Sequence, residues 1–170
     1  MPRGGPSAWG MRRRLLLLAS PLALAGCGFQ LRQAPSFAFK TIYIGSASSL
    51  GTELKRNIAS DTVKVASAPT AEQAQVILDL LNEQREKVVV GMSSSGQVRE
   101  FELRTRVRFK LRTPQGKELI PETELVLQRD ISYNESAALA KQDEENLLYR
   151  DMQSDIVQQL MRRLAAVKTI

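Results

Sequence analysis

A row of cations alternates along one segment of this chain. Arg104, Arg106, Arg108, Lys110 and Arg112 occur at every second position, with Arg99 shortly before them. Guanidinium and ammonium groups hold phosphates and carboxylates through charge-assisted hydrogen bonds, and arginine does so bidentately. Anion binding is therefore the chemistry this segment offers. Glu118, Glu122 and Glu124 follow on the next segment, and pairing with them competes for the same cations. Such pairing leaves Arg99, Arg104 and Lys110 over for an anion.

Other chemistry is scarce. The chain has no histidine and one cysteine, Cys27. A Ser-His or Cys-His nucleophile and a His-ligated metal both need histidine, and Cys27 is committed elsewhere, as argued below. Glu100, Glu102, Glu122 and Glu124 permit a glycosidase-type carboxylate pair in principle, but a solvated, charge-paired strand face accounts for them more simply. Gly96 is isolated and builds no phosphate loop. Single-stranded nucleic acid needs aromatics interleaved with the cations, and here they fall on the opposite parity. No nucleic-acid partner, cofactor, metal or catalytic residue is expected.

The element that positions the cationic row is a hairpin over residues 98–131. Phe101, Leu103, Thr105, Val107, Phe109 and Leu111 alternate with charged residues, a period of two that only a strand converts into two distinct faces. Leu119, Thr123, Leu125, Leu127 and Ile131 share a parity on the return strand. A three-residue loop at Pro114-Gln115-Gly116, with Gly116 left-handed, is expected between them. It sets Leu111 against Leu119, Val107 against Thr123, and Leu103 against Leu127. On the charged face it sets Arg112 against Glu118, Arg108 against Glu122, and Arg106 against Glu124. A two-residue loop would place apolar residues against charged ones throughout.

The apolar face needs a cover, and the remaining chain supplies one. Phe39–Gly45 reads as a short strand, and Ser48 or Ser49 caps a helix carrying Leu50, Leu54 and Ile58. Thr62–Ala66 reads as a second strand, giving a parallel pair through a crossover. Thr70 and Gln73 have capping-box spacing for a single turn. A strand over Gln75–Met92 keeps Val76, Leu78 and Leu80 in phase, then Val88, Val90 and Met92, with a twisted or bulged stretch between. From Glu135 to Val167, Leu148, Met152, Ile156, Leu160 and Leu164 recur at helical spacing beside Val157 and Met161. The expected fold is α+β: a two-layer sandwich whose mixed, mostly antiparallel sheet carries two helices on one face.

The formal charge of +6 suggests a basic protein. Arg3, Arg12, Arg13 and Arg14 precede Cys27 and no acid does, which leaves 20 basic residues against 18 acidic ones from Cys27 onward. The basic character thus belongs to the leader. Met11-Arg12-Arg13-Arg14 and the apolar run Leu15–Ala25 have the form of a signal peptide, too short to span a bilayer. Residues 1–26 are expected to be removed, with Met11 the expected start of translation. Leu24-Ala25-Gly26-Cys27 is similar to a bacterial lipobox, which makes Cys27 the lipidated residue. Several acyl chains hold a soluble domain on a membrane durably, at about 0.8 kcal/mol per buried CH₂. Residues 27–36 then form the lipidated end and tether, and 37–170 one domain.

Taken together, Cys27-Gly28-Phe29-Gln30-Leu31-Arg32, the Gly96-Gln97 entry to the hairpin and Ala138-Leu139-Ala140-Lys141 at the helix start resemble the LptE family of lipopolysaccharide-assembly lipoproteins. Gln30 departs from the histidine common in that run. The resemblance implies a non-enzymatic protein of the outer membrane, lipid-anchored on its periplasmic side. Such a protein plugs and helps assemble the LptD β-barrel in a 1:1 complex and assists lipopolysaccharide transport. It also implies a lipopolysaccharide contact at Lys141. A second cationic contact of the family falls here on Ser94, and Arg99 is the nearby cation that would replace it. The residues alone leave a second reading open, a lipid-anchored periplasmic module for another anionic envelope component.

Overall fold

The computed structural model describes residues 36–59 and 65–170. Strand β1 (Thr41–Ile44) leads to helix α1 (Ser49–Ile58), then to β2 (Ala66–Ser67) and three long strands. These are β3 (Val76–Met92), β4 (Val98–Arg112) and β5 (Glu118–Ser132), and helix α2 (Ala138–Ala166) closes the chain. Five strands form one sheet in the order β2-β1-β3-β4-β5. β1 runs parallel to both β2 and β3, so the expected parallel pair is two pairs. The other neighbours are antiparallel. The α+β sandwich expected from periodicity is the fold.

Local chemistry explains the elements. Ser48 caps α1, its hydroxyl accepting from the Gly51 N–H at 3.0 Å. At the expected capping box, Ala71–Ala74 makes a turn closed by Ala74 N–H on Ala71 C=O at 3.3 Å, short of a helix. Two glycines with positive φ, Gly96 (80°) and Gly116 (92°), close the two hairpins. At both, a three-residue loop is closed by a backbone bond, Ser93 N–H to Gln97 C=O and Thr113 N–H to Lys117 C=O, and by the return N–H donating to the Ser93 or Thr113 hydroxyl. The second strand is described at Ala66–Ser67, and residues 62–64 of the expected Thr62–Ala66 lie outside the described residues.

The core faces the helices. Ile42, Leu54, Leu78, Phe109, Leu111, Ile156 and Leu160 are fully buried in its main cluster. A smaller cluster of Leu103, Ile131, Tyr149 and Met152 extends it along α2. Residues 138–147 of α2 bury no side chain. The sandwich is therefore thick at one end and thin where α2 begins.

Irregularities in β5 and β3 reset the strand registers. Beyond the turn, Arg112 faces Glu118 as expected, but Phe109 faces Thr123, Val107 faces Leu125 and Leu103 faces Arg129. β5 has gained two residues between, where Pro121 lacks the N–H that a regular ladder requires. The slip comes in two steps, with Leu111 facing Ile120 rather than the expected Leu119 between them, and its total of two residues restores parity from Thr123 onward. In β3 the register shifts by one between Leu80 and Asn82. A one-residue shift exchanges the faces: Leu78 and Leu80 point to the core before it, whereas Glu83, Arg85 and Lys87 lie opposite Val107, Thr105 and Leu103 after it. The expectation that Val88, Val90 and Met92 continue the inward phase is corrected by this bulge.

Candidate functional site

The bulge decides the fate of both sets of cations. On the face away from the helices it brings Glu86 against the cationic row. Arg104 pairs with Glu86 (3.5 Å) and with Glu102. Arg106 reaches Glu86 at 3.4 Å and Glu124 at 3.7 Å, and Arg108 reaches Glu122 at 2.9 Å. The last two are the expected partners, met diagonally in the shifted register. Arg112 turns to Asp79 on β3 at 2.7 Å, not to Glu118, and the Asp79 carboxylate holds its guanidinium more firmly protonated than usual. The row is mostly neutralised by its own sheet. Lys110, opposite Asp79, has no ion pair among the described residues. Arg99 lies elsewhere, lining a small cleft with Asn134 and Ser136.

On the helix side the same shift aims three polar residues of β3 at the helices. Glu83 accepts from the Ser48 hydroxyl at 2.6 Å, Arg85 donates to Gln153 at 3.0 Å, and Lys87 pairs with Glu145 at 2.6 Å. Lys87 Nζ also sits 4.3 Å from the centre of the Phe101 ring. Nearby, Tyr149 donates to the Glu86 carbonyl at 2.7 Å, and burial, helped by the Glu145 charge, pushes its phenol up.

Lys87 opens into a cavity of about 340 Å³ at the thin end of the sandwich, lined also by Phe101, Ile131, Tyr133, Lys141 and Glu145. The cavity exists because α2 buries nothing in its first three turns, before Tyr149. Lys141 Nζ binds Ser132 Oγ at 3.0 Å and Glu144 at 2.8 Å. Phe101 and Tyr133 meet edge to face with centroids 5.2 Å apart. The cavity thus combines two ammonium groups with an aromatic and aliphatic floor. That composition suits an anionic amphiphile: phosphates for the lysines, a hydrocarbon edge for the rings.

Of the cations expected to bind an anion, only Lys141 lines this cavity. Arg104 and Lys110 are on the opposite sheet face, and Arg99 and Ser94 do not line it. Lys87 was not anticipated. Cys27, with the leader and nearly all of the tether, lies outside the described residues. Among the described residues no acidic or cysteine cluster is arranged for a metal, and no helix is long and apolar enough to cross a membrane.

A family model for lipopolysaccharide assembly, LptE, matches residues 39–164, nearly the whole described fold. The chain belongs to the LptE family. As such it is an assembly component, not an enzyme. It is similar to the LPS-assembly lipoprotein LptE of Pectobacterium atrosepticum, 27% identical over 166 residues, covering 92% of this chain and 88% of that protein. The LptE of Yersinia enterocolitica is 27% identical over 165 residues, 92% of this chain and 78% of that protein. Among solved structures, the lipoprotein B of Nitrosomonas europaea superposes with a TM-score of 0.71 at 36% identity, covering 82% of this chain and 91% of that one. The rare lipoprotein B of Shewanella oneidensis shares the fold at 21% identity, TM-score 0.62, covering 74% and 94%.

Proposed function

We propose that this LptE-family chain is an outer-membrane lipoprotein, anchored through acylated Cys27 on the periplasmic side. It plugs and helps assemble an LptD-like β-barrel in a 1:1 complex, and assists lipopolysaccharide transport by binding its phosphorylated lipid end. The observation that carries the binding step is the cavity in which Lys87 and Lys141 stand beside Phe101 and Tyr133. Lys87 takes the place of the second cation that Ser94 does not supply, and Arg99 is not needed for it. Arg104 and Lys110 serve the barrel, where a strand face of mixed charge suits a polar lumen. Exposed apolar side chains support a chain that works covered by a partner: Val90, Met92 and Leu139 are 52%, 65% and 82% exposed.

Detergent extraction tests the partnership. The full-length lipoprotein, affinity-purified from its own membranes, is expected to bring down a β-barrel protein in equal amount. Recovery of the lipoprotein alone at normal abundance contradicts the plug and favours a free-standing module for another envelope anion.

A further inference from the structure

Neither lysine of the cavity stands ready for an anion. Lys87 is held by Glu145 at 2.6 Å and Lys141 by Glu144 at 2.8 Å. The two acids are adjacent on α2, and Glu145 follows Lys141 by four residues, so both side chains share the helix face that lines the cavity. We propose that Glu145 is a resident counter-ion of Lys87, and that the ligand binds by exchange: its phosphate displaces Glu145 from Lys87 and Glu144 from Lys141. The exchange rests on the cavity being the lipopolysaccharide site.

Three features make it work. The Phe101 ring, 4.3 Å from Lys87 Nζ, holds the ammonium in place when the carboxylate leaves. A phosphate carries more charge than a carboxylate and presents three acceptor oxygens, so it wins the competition that an uncharged sugar loses. The third feature is mechanical. Residues 138–147 bury no side chain, and the Lys87–Glu145 and Lys141–Ser132 contacts fasten this stretch to β3 and β5. Releasing Glu145 frees Lys87 on the β3 side of the cavity, while the Lys141–Ser132 contact stays beside Ile131 and Tyr133. The built-in acid therefore sets specificity: only a ligand bearing phosphate displaces it from Lys87.

The test compares binding of purified lipopolysaccharide, and of the same material stripped of phosphate, to the full-length protein in detergent. Glu145→Gln is expected to tighten binding of the phosphorylated form on the order of three- to fivefold, the worth of one partly exposed ion pair. It should leave binding of the stripped form unchanged. Asp143→Asn removes the same charge from an exposed position two residues away, off the cavity, and is expected to change neither. Unchanged or weaker binding by Glu145→Gln, or an equal gain with Asp143→Asn or with the stripped form, overturns the exchange, while a loss with Lys141→Glu keeps the cavity as the site. Normal binding by Lys141→Glu removes Lys141 from the site and overturns the exchange with it.

Discussion

Lys141→Glu is expected to weaken lipopolysaccharide binding by at least tenfold while the circular dichroism spectrum stays that of the parent. Lys141 Nζ lies between Ser132 and Glu144, and its side chain is 21% exposed. A carboxylate there removes one of the two cavity cations and adds a third acid beside Glu144 and Glu145. A charge-assisted hydrogen bond contributes about 1.5–3 kcal/mol, which converts to roughly ten- to over a hundredfold in affinity. Folding is spared because residues 138–147 lie outside the core. Lys87→Glu is expected to act in the same direction, whereas Arg104→Glu and Lys110→Glu change the opposite face and leave the binding nearly intact. Equilibrium binding of the purified variants decides; unaltered affinity of Lys141→Glu removes it from the site.

The largest stability effect is expected from Phe109→Ala. Its ring is fully buried in the main cluster with Leu78, Leu111, Ile156 and Leu160, near the C-terminal end of β4. Truncation leaves a cavity between two layers that cannot collapse without moving α2, so a loss of about 3–5 kcal/mol follows. Domains of this size have stabilities of about 5–15 kcal/mol. The loss therefore unfolds much of the population under mild denaturant. Phe101→Ala, at the thin end and only partly buried, is expected to lose much less. Urea titration of both variants checks the ordering, and equal losses would contradict a core that tapers toward the start of α2.

The faces of the hairpin were legible because period-two alternation runs unbroken from Phe101 to Leu111, and burial enforces it. The register was legible only at the first pair, Arg112 with Glu118, since Leu111 already faces Ile120 rather than Leu119. The loop at Pro114–Gly116 fixes the first pair, but a proline inside a strand signals an irregularity without saying how many residues it absorbs. Lys87 was hidden by a different device. A phase carried forward from Val76, Leu78 and Leu80 runs through the bulge as though the bulge were absent. The signal lay in the other turn. Ser94-Ser95-Gly96 has the same three-residue form as Pro114-Gln115-Gly116, and pairing outward from it sets Lys87 against Leu103, as the structure does. Neighbouring hairpins are better phased from their turns than from their apolar runs. Of the cations expected to be left over in the row, Arg104 finds Glu86 only because the bulge has turned that acid outward, whereas Lys110 remains without an ion pair among the described residues.

Site-specific photocrosslinking separates the cavity from the cationic row most directly. A benzophenone amino acid at Phe101, inside the cavity, and another at Arg108, on the far face, are carried by the full-length protein in living cells. Lipopolysaccharide trapped at position 101 and not at 108 is the result expected of a two-lysine cavity. Trapping at 108 with none at 101 would contradict it and return the anion site to the row of arginines.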